Sequence, residues 1–100
     1  MTIYLNGAKY ESGKITAAMS RRAMELNLEA LDAAKQAESM KTELDIAKTS
    51  SLLDVMLKNI DAKAALICEA FDNAFTQDEL LKEKRNEELN TLLQFIVRGN

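Results

Sequence analysis

A mainly α fold, a short N-terminal β-hairpin followed by a small helical bundle of three to four helices, is predicted by three features of the sequence. Proline is absent and glycine occurs only as Gly7, Gly13 and Gly99, so little forces a helix to break. Apolar residues recur at spacings of three and four from Met19 onward, the period of a helix with one buried face. The first dozen residues instead flank Asn6-Gly7, the strongest short-range hairpin signal. The 100 residues read as a single domain, with 1–12 as the hairpin and 13–100 helical.

Asn and Gly tolerate the positive φ that both central residues of a type I′ turn require. A two-residue turn there pairs Leu5 with Ala8, Tyr4 with Lys9 and Ile3 with Tyr10. Side chains alternate across a strand, so Ile3, Leu5, Ala8 and Tyr10 share one face, while Thr2, Tyr4, Lys9 and Glu11 share the other. Two strands alone are marginal in water, so the apolar face must rest on helices.

A first helical stripe opens near Thr16, a suitable N-cap. It runs through Met19, Ala23, Leu26, Ala30, Ala33, Ala37, Met40, Leu44 and Ala47. Its second half is mostly alanine and buries less area, and residues 29–48 are either one helix or parts of two. Lys48-Thr49-Ser50-Ser51 interrupts the pattern, and Ser51 to Asp54 has the form of a capping box. The stripe of Leu53, Met56, Ile60, Ala64, Ile67, Phe71 and Ala74 behind it, widened by Leu57, Leu66, Ala70 and Phe75, marks the centre of the core. Thr76-Gln77-Asp78-Glu79 is a cleaner capping box, with Phe75 and Leu80 placed as a hydrophobic staple. Asp78 and Glu79 favour the positive end of that helix. The polar run Lys82–Glu88 is either a solvated helical turn or a break between two short helices. Leu89, Leu92, Leu93 and Ile96 then restore a stripe that ends at Gly99-Asn100.

Composition excludes several function classes. The net charge is −3, and thirteen basic residues are interleaved with sixteen acidic ones, so no basic face is available for nucleic acid. The one tight basic pair, Arg21-Arg22, reads as a solvated helix face. Histidine is absent, which removes the commonest general base and zinc ligand. Glycine-rich phosphate loops and calcium loops are also missing. Solvation and capping account for the acidic pairs Glu87-Glu88 and Asp78-Glu79. No catalytic, cofactor-binding or metal-binding residue is assigned. The single cysteine, Cys68, lies in an apolar stretch and reads as a buried small hydrophobe. Residues 1–10 lack the apolar core of a signal peptide, and no apolar run approaches the ~20 residues of a membrane span. The expectation is a cytoplasmic, non-enzymatic chain that works by binding proteins through helical faces.

The segment Phe71-Asp72-Asn73-Ala74-Phe75-Thr76-Gln77-Asp78-Glu79-Leu80 resembles the Phe-x-x-x-Phe-Thr-x-Asp-Glu-Leu signature of tail assembly chaperones from bacteriophages with long, non-contractile tails. The start is similar too, with a hairpin ending at Tyr10-Glu11 and Lys14-Ile15-Thr16-Ala17 opening an Arg-containing helix. The resemblance implies a non-enzymatic protein of the host bacterial cytoplasm that is not retained in the mature virion. It implies binding to the helical tape-measure protein, recruitment of tail-tube protein, and self-association. Phe71, Phe75, Thr76, Asp78, Glu79 and Leu80 become the structural or partner-binding candidates. Many members also have a longer form made by programmed frameshifting. Arg98-Gly99-Asn100 can be encoded with the slippery run G-GGA-AAC, a pertinent place for such a site. The competing readings are a coiled-coil-like structural or adaptor protein with no chaperone role, and a small transcription regulator.

Overall fold

The computed structural model describes residues 1–39 and 46–99, with the side chains of Ile46 and Ala47 outside that description. A two-stranded antiparallel sheet, β1 (Thr2–Leu5) and β2 (Ala8–Glu11), precedes α1 (Ala17–Ser39), α2 (Ile46–Ala70), α3 (Gln77–Glu83) and α4 (Asn86–Arg98). The strand register pairs Leu5 with Ala8, Tyr4 with Lys9 and Ile3 with Tyr10, as the turn chemistry requires. Asn6 and Gly7 take φ of 50° and 78°, the left-handed values of a type I′ turn. Ile3 and Leu5 are buried and Tyr10 is half-buried, but Ala8 is exposed. The helices cover the β1 side of this face, where Leu5 is fully buried, and leave its cross-strand partner Ala8 open.

Thr16 caps α1 as expected, its Oγ1 accepting the Met19 N–H at 3.2 Å. Met19, Ala23, Leu26 and Ala33 are buried, Ala30 half-buried and Ala37 exposed. Met40 and Leu44, the next members of that stripe, lie outside the described residues. Arg21 and Arg22 are exposed and pair with Glu25, Arg22 also reaching Glu29, a solvated face.

The expected break at Lys48–Ser51 is not there. The helix α2 already begins at Ile46 and passes through those four residues, so Ser51 is an interior helical residue and not a cap. Ser and Thr cost only about half a kcal/mol each relative to Ala inside a helix. Burial of Leu52 on the next position favours keeping the helix intact. The stripe behind it also divides. Ala64, Ile67 and Phe71 are buried, but Leu53, Met56 and Leu57 are exposed, so only the C-terminal half of α2 is central to the core.

That helix stops at Ala70, short of Ala74, which is exposed. The Asn73 N–H donates to the Cys68 carbonyl at 2.8 Å and the Asp72 N–H to that of Glu69 at 3.0 Å. Asp72 and Asn73 have φ of 54° and 56°. This is a Schellman ending in which Asp and Asn, the side chains most tolerant of the left-handed region, stand in for glycine. The Gly13 N–H donates to the Ala70 carbonyl, which ties the hairpin's exit to the same helix end.

The polar run Lys82–Glu88 resolves as a break. Lys84 and Arg85 are extended, at φ −105° and −79°, so the turn needs no glycine. The Glu88 carboxylate accepts the Arg85 N–H at 3.5 Å and pairs with Lys84 at 3.3 Å. These hydrogen bonds hold the Glu88 carboxyl below the usual carboxylate range, with the Lys84 contact the largest cause. Gly99 ends α4 in the left-handed region. One buried cluster joins Ile3 and Leu5 of the sheet to residues of all four helices, with Leu26, Ile67, Leu80, Leu93 and Ile96 among its most enclosed members.

Candidate functional site

The segment from Phe71 to Leu80 is a junction, with Phe71, Phe75 and Leu80 turned inward and most of the residues between them exposed. Phe71 and Phe75 are buried with ring centroids 5.4 Å apart, and Tyr10 meets Phe75 edge-on at 5.2 Å. Leu80 is fully buried, so the staple partners lie in one cluster. Thr76 Oγ1 accepts the Glu79 N–H at 3.1 Å, and the Glu79 carboxylate accepts the Thr76 N–H at 3.4 Å. Both halves of the capping box are therefore formed. Asp78 is exposed beside them. Of the six candidates, Phe71, Phe75 and Leu80 set the angle between α2 and α3, and Thr76 and Glu79 start α3. The exposed Asp78 side chain makes no hydrogen bond or ion pair among the described residues.

Burial beneath this junction raises the Cys68 thiol above its ordinary value, and the nearby Glu79 charge adds to the shift. The thiol is thus held neutral and inert.

The large exposed apolar side chains lie elsewhere. Met24, Leu28 and Leu31 follow one another at four and three on α1. That spacing puts them on one face, opposite the buried Met19, Ala23 and Leu26. On α2, Leu53, Met56 and Leu57 continue the stripe that Ala64 and Ile67 bury further on. Helix lengths explain the change. At 25 residues α2 spans about 37 Å, and at 13 residues α4 spans about 20 Å. The Ser20 hydroxyl donates to the Ile96 carbonyl and Lys63 Nζ donates to Asn90, so α4 lies over the half of the α1–α2 pair nearest the sheet. Its N-terminus ends beside Ile60, and among the described residues no helix covers the α2 stripe of Met56, Leu57 and Leu53 beyond that point. Sequence reading placed these residues in the core because periodicity marks an apolar face without stating what covers it.

A family model described as "Phage tail chaperone protein" matches residues 1–100. The chain belongs to that family. No curated protein and no solved structure matches it. A tail chaperone is not an enzyme class. Among the described residues no helix is long and apolar enough to cross a membrane.

The tail chaperone also has a concave surface beside its sheet. A groove of about 310 Å³ runs between β1 and α4, with Tyr4 and Phe95 exposed at its walls and Leu92 at its base. Tyr4 lies on a strand position whose backbone groups point away from β2, since Ile3 and Leu5 form the hydrogen-bonded pairs of the hairpin. The next outward N–H, that of Asn6, is taken by the Glu83 carboxylate at 2.9–3.0 Å. Asn59 and Lys63 are the functional candidates that sequence reading missed. Both are buried polar residues on α2. Leu52, Asn59, Lys63 and Leu66 succeed one another at seven, four and three, so polar residues on an otherwise buried stripe were the available signal.

Proposed function

We propose that this tail chaperone binds the helical tape-measure protein through the uncovered half of its α1–α2 pair and helps recruit tail-tube subunits during tail assembly. One observation carries the reading: the apolar stripe of α2 continues through Met56, Leu57 and Leu53, the last two more than half exposed, beyond the reach of α4. An amphipathic helix of a partner laid along that stripe extends the layer that α4 begins. Chaperoning needs release as well as capture, and a face of this length suits an interface of moderate area. The stripe of α1 from Met19 to Ala33 is spent inside the chain against α2 and α4, which weighs against a coiled-coil adaptor built on it. The chaperone acts in the host cytoplasm, leaves before the virion is complete, and in the partner's absence covers the same face with a second copy. Light scattering after size-exclusion chromatography checks the second copy. The tail-tube contact is made by a longer, frameshifted form, which is ruled out for this site if the codons of Gly99 and Asn100 do not spell GGA-AAC.

Co-expression tests the main claim. The wild-type chain is expected to keep the tape-measure protein soluble and to co-purify with it, and Leu53→Glu with Leu57→Glu to lose both while remaining helical. Binding should survive moderate salt, because apolar contacts are screened little. An insoluble tape-measure protein with no recovered complex refutes the reading.

A further inference from the structure

Lys63 sits in the C-terminal half of α2 and is only 7% exposed. Its ammonium has three donors, yet its hydrogen bond is to a neutral amide oxygen, Asn90 Oδ1, at 2.9 Å. Among the described residues no carboxylate comes within ion-pair distance of it, whereas the exposed Arg21, Arg22 and Lys58 each have one. A buried charge without a counter-ion is the unfavourable arrangement, because it loses water and gains no opposite charge.

The ammonium borders a cavity of about 130 Å³. A water takes up about 30 Å³ in the liquid, so the space admits a carboxylate and its last methylene. Among the described residues the polar lining besides Lys63 is Asn59, Asn86 and Asn90, and no acidic residue lines it; the nearby Glu29 carboxylate accepts from Asn59 Nδ2 at 3.5 Å and does not reach Lys63. Asn86 is the first residue of α4, so the positive end of that helix points the same way. The apolar lining includes Met56 and Ile60, which carry the stripe from the exposed half of α2 into the core. The cavity therefore lies at the end of the uncovered face, where a helix continuing the α4 layer would have to meet α4.

We propose that this cavity receives the carboxylate of an Asp or Glu from the partner helix that covers the distal half of α1 and α2, with Lys63 as its counter-ion. The proposal rests on the reading given under Proposed function and adds the chemistry that fixes the partner's register. The apolar stripe accepts many amphipathic helices, while the cavity accepts those with an acid at one position. A helix that seals the cavity without an acid leaves Lys63 cut off from water and unpaired, which is a penalty against the wrong segment. Burial already pulls the Lys63 ammonium below its ordinary range. An incoming carboxylate opposes that shift, because an opposite charge favours the charged form.

Two measurements test this. In the first, sodium acetate is titrated into the full wild-type chain while the side-chain amide resonances of Asn59, Asn86 and Asn90 are followed by NMR. Saturable shifts are expected with acetate, none with neutral acetamide, and none in Lys63→Met or Lys63→Gln. The absence of an acetate-selective shift in the wild-type chain overturns the site without recourse to any variant. In the second, peptides tiled along the tape-measure protein are tested against wild type and against Lys63→Met, which replaces the charge by an apolar chain of similar length. The variant should keep its thermal midpoint and weaken the tightest peptide by at least about tenfold. One Glu→Gln or Asp→Asn change in that peptide should produce the same loss and add nothing to the variant's. Equal binding by Lys63→Met overturns the partner's acid. If the wild type binds acetate selectively but no tape-measure peptide, the tape-measure reading and the acid assigned to it fall together, while the acetate site itself stands.

Discussion

Truncation of Phe71 to alanine removes a ring that is 2% exposed and sits where α2 ends and the chain turns toward α3. Its neighbours cannot collapse easily into the space. Phe75 is held on its other side by Tyr10, and the α2 ending is fixed by the Asp72 and Asn73 hydrogen bonds. A buried Phe→Ala change costs about 3–5 kcal/mol when the cavity persists, and loss of the contact with the Phe75 ring contributes to it. Small domains have about 5–15 kcal/mol in all, and each kcal/mol moves the midpoint of a domain this size by about 4–8 °C. The expected fall in Tm is therefore on the order of 12–40 °C. Thermal unfolding followed by helical circular dichroism measures it, with Leu57→Ala as the reference. Leu57 is 62% exposed, and a surface truncation there should stay within about 0.5 kcal/mol of wild type. A Phe71→Ala midpoint no lower than that of Leu57→Ala would refute the claim that this ring supports the junction.

Thr76→Ala removes the acceptor of the Glu79 N–H and should cost about 1 kcal/mol, read from urea unfolding, with Thr76→Ser close to wild type. Cys68 should react slowly with iodoacetamide in the folded chain and rapidly in urea, since it is buried and its thiol is held protonated. The same shift carries a sign: above the thiol's ordinary value of 9.0 the unfolded chain releases a proton that the folded chain keeps. Stability from this group is therefore lost as the pH rises through that region, and Cys68→Ala should flatten this part of the alkaline limb of a Tm-versus-pH curve.

What was legible in the sequence is what local chemistry decides. Asn6-Gly7 admits one tight turn, and the register followed from it without any tertiary information. Thr76 with Glu79, and Gly99 at the last turn, are helix boundaries written in the residues that make the hydrogen bonds. Ser51 misled because a Ser-x-x-Asp before an apolar run has the same letters whether the helix starts there or passes through. Asp72-Asn73 went unread as a stop, although both residues favour left-handed turns. In the candidate site, the signature from Phe71 to Leu80 was visible as a pattern, but the inward facing of Phe71, Phe75 and Leu80 depends on α3 and the hairpin closing over them. The exposure of Leu53, Met56 and Leu57 was not legible at all, because it depends on the length of a helix thirty residues away in the chain.

That length is set by the charged run between α3 and α4. An unbroken helix over Gln77–Arg98 would reach about 33 Å, enough to lie along most of the roughly 37 Å of α2. The residues of the run hold the break instead. Glu83 turns back to take the Asn6 N–H of the hairpin, Lys84 and Arg85 are extended, and Glu88 binds both of them. Folding α3 under the sheet uses Leu80 to complete the core near Phe71 and Phe75, and it shortens the covering layer to α4 alone. The uncovered half of α2 follows from this arrangement. A polar stretch that carries no site of its own thereby determines which apolar surface is left for a partner, and it places Lys63 at the edge where that surface begins.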